Sequence, residues 1–278
     1  CALTGLKANP NKAAWLFTAG LAWAAAVGCR ASLALPIIVA YAGLFVVFLL
    51  QLKSRRALLT AAVAFSLGMG GLAWYNIARF GSVLETGHRY QLTGPAYPEV
   101  YKQVFSTTYI LPSLYSDFFR PPLIDGEFPF IHAPWITESM WPFFISLPEN
   151  YYYTEPISGL LFISPFILFL PMLFIKRHPR PEDLILVVSA TVAILTSVTY
   201  IASAMRYLLD FSPTLILLAT LGFWQCAEKP FFGWKTFGVI LGVISVGFGI
   251  LLGISGPTNN FLNNNYALFQ WLAKLMGG

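Results

Sequence analysis

The sequence predicts an all-α polytopic membrane protein with about seven transmembrane helices and a mixed extracytoplasmic cap between the third and the fourth. Three observations carry that class. First, 57% of the 278 residues are apolar and only 10% are charged, with a mean hydropathy of +0.66, whereas a soluble domain carries about 25% charged residues. Second, several apolar runs reach the ~20 residues that cross ~30 Å of hydrocarbon as a helix. Third, Lys and Arg gather in short connectors between those runs, the pattern that sets membrane topology. The net charge of +5 therefore speaks for orientation in a bilayer and against nucleic-acid binding.

The spans follow in order. From Ala13 to Leu52 the only charge is Arg30, and a single helix of that length would be about 60 Å long, twice the membrane thickness. The run must fold back, and Gly28, Arg30 and Ser32 mark the place, with Pro36 in the first turn of the second helix. This gives spans over residues 13–28 and 33–52. After the basic connector 53–56 comes a third span, 57–75, with Gly68, Gly70 and Gly71 available for close helix packing. A fourth, 156–175, contains Pro165 and Pro171 and is expected to kink. The fifth and sixth, 184–204 and 211–227, are joined by a tight turn over 206–210. The seventh, 237–254, carries Gly238, Gly242, Ser245, Gly249 and Gly253 on one face, read as a packing stripe. Beyond it, Asn265 is placed to cap a short interfacial helix bearing Trp271 and Lys274.

With the amino end inside, ten of the seventeen Lys and Arg residues fall in short cytoplasmic pieces. Residues 77–155 and the carboxyl end then lie outside. The outer segment holds eight acidic and four basic residues, eighteen aromatics and nine prolines in 79 positions. Disordered segments are poor in aromatics, so a compact cap is expected, with a helix only over 99–111. The whole of 1–278 reads as a single membrane domain containing this cap. The three cysteines, Cys1, Cys29 and Cys226, have no metal-ligand spacing, and the topology puts the last two on opposite sides.

Arg30 is the most informative residue, because a charge within an apolar run costs roughly 2.5–3.5 kcal/mol on insertion scales. It either snorkels at a helix end or awaits an anionic partner such as a lipid phosphate, which a guanidinium grips in bidentate fashion. Arg206 either pairs with Asp210 four residues on or meets the same anion. Arg79, Glu85, His88 and Arg89 crowd eleven positions just outside the third span, with Gly81 and Gly87 allowing turns. That cluster reads as a structural loop, a substrate-binding loop, or an acid–base or metal pair of Glu85 and His88. No phosphate-binding loop, nucleophile elbow or Cys-rich metal site occurs, so no catalytic residue or metal ligand is assigned.

Four stretches, AGLAWAAAVGCRAS, YNIARFGSVLETGHRY, EPISGLLFISPF and MRYLLDFSPTLILLA, resemble the bacterial branch of the GT-C membrane glycosyltransferases, relatives of the dolichyl-phosphate-mannose–protein mannosyltransferases. The resemblance implies a sugar moved from a polyprenyl-phosphate donor to an extracytoplasmic acceptor. It implies a bacterial inner (plasma) membrane, Arg30 and Arg206 beside the donor phosphate, and an outer segment that helps form the acceptor side; Arg79, Glu85, His88 and Arg89 of that segment are the further substrate-binding candidates. The family's catalytic carboxylate sits in the first outer loop, so the chain is expected to be the carboxyl-terminal portion of such an enzyme and to lack that residue. A transporter or flippase of an anionic lipid-linked substrate, and a non-catalytic glycan-binding membrane partner, remain the other expectations.

Overall fold

The computed structural model describes residues 12–50, 55–87, 90, 103–137, 140–148, 152–175, 180–227, 232–256 and 260–277. They are mostly helical and group into two compact units. One comprises the described parts of Cys1–Lys102 and Arg180–Ala193, the other those of Gln103–Pro179 and Ile194–Gly278.

In the first unit, α1 (Lys12–Cys29), α2 (Ala34–Leu50) and α3 (Arg55–Phe80) carry the first three expected spans. Small residues let α1 and α3 approach closely: a Cβ at Gly20 would meet the Ala61 carbonyl oxygen and one at Gly68 the Ala24 methyl, whereas Gly70 and Gly71 face open space. Tyr41 of α2 stacks on Phe65 at 6.5 Å and meets Trp23 edge-on at 6.0 Å. α3 continues five residues past its expected end at Tyr75, because no breaker intervenes before Gly81, whose φ of +71° stops it. The first turns of α7 (Pro181–Val198) join this unit, with Ser189 Oγ donating to the Pro36 carbonyl at 2.9 Å.

The second unit begins with a 3₁₀ turn, Thr107–Tyr109, leading into α4 (Ile110–Leu114) and a π-helical turn, Tyr115–Phe119. Part of the expected helix 99–111 lies outside the described residues. A two-residue antiparallel pair follows, β1 (Leu123–Ile124) with β2 (Ile131–His132). β3 (Tyr153–Thr154) then runs parallel to β4 (Ala202–Ser203). The fifth expected span therefore ends six residues early: α7 stops at Val198, and the following residues take up extended pairing instead of a last helical turn.

The fourth expected span is not one kinked helix but three short pieces. These are α5 (Leu160–Ile163), a 3₁₀ turn over Pro165–Phe169, and α6 (Met172–Ile175). Ser164 breaks them with φ −139° and ψ 67°, because Pro165 disfavours helical geometry in the residue before it. After α8 (Met205–Leu208) come α9 (Ser212–Ala227), α10 (Phe232–Ser255), α11 (Asn260–Asn264) and α12 (Tyr266–Met276). Phe169 anchors the core among the rings of Phe166, Phe223, Trp234 and Phe237. Asn265 occupies the cap position of α12, but through its carbonyl, which accepts from Phe269 N at 2.9 Å; its side chain makes no capping bond.

Among the described residues, three helices are long and apolar enough to cross a membrane: Leu59–Phe80, Pro181–Val198 and Gly233–Ser255, with mean hydropathies of 1.2, 1.6 and 2.5. Ala13–Cys29, Ala31–Val47 and Ser212–Ala227 are apolar but shorter.

Candidate functional site

The chain reverses at Arg30, the expected place. Arg30 is the extended residue (φ −149°, ψ 111°) between α1 and the 3₁₀ turn Ala31–Leu33, and its amide still donates to the Ala26 carbonyl at 2.9 Å. Arg79 does not sit in a loop but on the last turn of α3. Its Nη1 donates to the Tyr75 hydroxyl at 2.6 Å, and its guanidinium lies 5.8 and 5.1 Å from the ring centres of Tyr75 and Phe80. Glu85 accepts the Gly87 amide at 2.8 Å where Gly87 has φ +94°, which is loop-closing work. His88 and Arg89 lie outside the described residues.

Arg206 belongs to the second unit. Its Nη2 donates to Glu155 Oε1 at 2.6 Å, 51 residues away, and the guanidinium lies 5.2 Å from the Tyr207 ring centre. The Tyr207 hydroxyl first, and then the Glu155 carboxylate, hold the Arg206 pKa above its ordinary value. Glu155 is an acid that sequence spacing did not single out.

The residue before Arg206, Met205, lines an apolar cavity of about 590 Å³, together with Leu160, Ile163 and Phe166 of the broken segment and Gly249 and Gly253 of α10 among others. The glycine stripe of α10 thus divides in function. A Cβ at Gly238 would strike the Phe223 ring, so that position packs, whereas one at Gly249 or Gly253 would have nothing within 4 Å. Ser245 ties the two helical segments together, accepting from Phe166 N at 3.1 Å and donating to the Leu241 carbonyl at 2.7 Å. The packing stripe is therefore also a cavity wall.

A second cluster escaped the sequence reading. Ser113, Ser116, Asp117 and Arg120 are 0, 0, 1 and 3% exposed. The Tyr152 hydroxyl bridges Ser113 Oγ and Ser203 Oγ at 3.2 Å each, and Ser197 Oγ donates to Asp117 Oδ2 at 3.4 Å. Burial pushes the Asp117 carboxyl up to about 7 against the opposing bonds from Ser203 and Ser197, and pushes Arg120 down to about 10 against Tyr115 and Tyr152. The signal available beforehand was the spacing Ser113, Ser116–Asp117, Arg120, which puts polar groups on one helical face. In a segment read as an outer cap, those charges pass for solvated ones. Among the described residues no group of three or more His, Cys, Asp and Glu side chains could hold a metal ion.

No family model matches the chain, and neither does any curated protein or solved structure.

Proposed function

We propose that the protein is part of a membrane glycosyltransferase that takes its sugar from a polyprenyl-phosphate donor and delivers it outside the membrane. In this reading seven spans alternate with residues 77–155 outside, in a bacterial inner membrane. The observation that supports it best is the apolar cavity with Arg206 next in sequence to its lining residue Met205. An isoprenoid tail suits such a wall, and a guanidinium suits the phosphate that departs from the sugar. Arg30 lies in the other unit, and its role in transfer rests on the resemblance alone.

Transfer from a radiolabelled polyprenyl-phosphate sugar by the full-length protein in liposomes tests this. Arg206→Ala and Arg30→Ala should each lower transfer at least tenfold while leaving the protein folded. Transfer unchanged in both would overturn the reading.

A lipid translocator is the second reading, and the break at Ser164 favours it. Interrupted helices with unwound backbone lining a cavity are a recurring feature of transporters, and Ser164 itself lines this one. Fluorescent polyprenyl phosphate crossing the bilayer without any sugar transfer would select it.

A further inference from the structure

Among the described residues, Arg120 is a buried cation without an anion. Its guanidinium Nη1 makes no hydrogen bond, and among the described residues no carboxylate stands within ion-pair distance of it. An uncompensated charge is the least tolerable group a protein interior can hold. Three more buried polar atoms lack partners beside it in the chain or across a bond: Ser116 Oγ, Asp117 Oδ1 and Ser158 Oγ. Ser116 and Asp117 lie on the π-helical turn that leads to Arg120, a geometry frequent at functional sites. Ser158 is brought up by Gly159, whose amide donates to the Arg120 carbonyl at 2.7 Å. Gly159 has no alternative, since a Cβ there would sit 2.5–2.6 Å from the Phe118 carbonyl and the Arg120 amide.

These groups share a chemistry. Arg120 can only donate, the two serine hydroxyls are free to donate, and burial raises the Asp117 carboxyl to about 7, so that it is a donor in the protonated fraction that grows below that pH. Water would satisfy the hydrogen bonds but not the charge. We propose that Arg120, with the Ser116 and Ser158 hydroxyls, binds a phosphate group inside the second unit. The site adjoins the apolar cavity, because Leu160 follows Gly159 in the cavity wall and Met205 Sδ, also in the wall, accepts the Ser158 amide at 3.4 Å. The phosphate can therefore come free from solution or as the head of an amphiphile whose tail lies in the cavity.

Thermal-shift and calorimetric titrations of the full chain in maltoside detergent, with inorganic phosphate, geranyl phosphate and geraniol as probes, test this. Both phosphates should stabilise the wild type, and Arg120→Gln should weaken them at least tenfold. Geraniol should gain nothing from Arg120. Geranyl phosphate at least tenfold tighter than inorganic phosphate, with the advantage lost in the cavity-filling Gly253→Leu, identifies an amphiphile; equal affinities identify the free ion. No shift with either phosphate, or the same shift in Arg120→Gln, overturns the proposal and leaves buried water as the filling. If Arg120→Gln does not fold, Ser158→Ala should weaken phosphate several-fold, and unchanged affinity there overturns it equally. A protein that binds phosphate here yet moves no sugar keeps this inference and loses the glycosyltransferase reading.

Discussion

Arg206 and Asp117 are two ionisable residues with opposite electrostatic situations. Arg206 is more than half exposed and paired to Glu155, so the pair adds at most about 1 kcal/mol to stability. In the proposed chemistry, Glu155 competes with the donor phosphate for the guanidinium. Glu155→Gln should therefore lower the KM for the lipid donor severalfold in steady-state assays, with little change in melting temperature, while Arg206→Ala should raise it. Asp117 is 1% exposed and its carboxyl titrates near 7 in the fold, against about 4 in an unfolded chain. Between those values the folded state holds a proton that the unfolded state has lost. Stability is thus greatest below pH 4 and falls as pH rises through 7, by roughly 4 kcal/mol in all. Denaturant titrations at pH 5 and pH 8 should show that Asp117→Asn removes most of this slope and stabilises the protein at the higher pH. Neither Glu155 nor Asp117 could be singled out from the sequence, because what matters about each is a partner or a burial created 50 to 80 residues away.

At the level of elements, helix interiors were legible and helix ends were not. α1, α9 and α10 lie where apolar runs bounded by charges predict them, because hydropathy alone decides whether such a run forms a helix in lipid. The end of α3 depended on Gly81, not on the first polar residues, and the end of α7 on strand pairing with β3. The fourth span could be read as proline-containing, but the complete interruption at Ser164 depends on Pro165 and on Phe166 N being met by Ser245 Oγ. The glycine stripe of α10 makes a paired prediction. Gly238→Leu should destabilise the protein by about 1–3 kcal/mol, the usual consequence of overpacking, as its side chain collides with Phe223. Gly249→Leu should leave the melting temperature within about 2 °C of wild type, because its Cβ meets only open space. It should nevertheless block uptake of a photoreactive isoprenoid by filling the cavity.

For the molecule as a whole, membrane character rests on three sufficiently long apolar helices and on an exterior rich in bare hydrophobic side chains. Leu67, Trp74, Val243 and Val246, for example, are each more than 60% exposed, as a lipid-facing surface requires. The proposed orientation puts Cys29, which is free and exposed, at the outer end of α1. In a Cys1→Ser background, a membrane-impermeant maleimide added to intact cells should label Cys29 and spare the buried Cys226; labelling only after lysis would invert the topology. Composition was enough to show this large-scale character, since it depends on averages over many residues. The interior polar cluster depends on single contacts, which averages erase.

The tail helix α12 sets Phe269 edge-on against Phe128 at 5.1 Å, so a helix made late covers a turn made long before it. Until α12 has been made, that aromatic turn stays bare, open to chaperone or neighbouring chain. Docking of α12, more than insertion of any one span, is the moment at which this side of the protein closes.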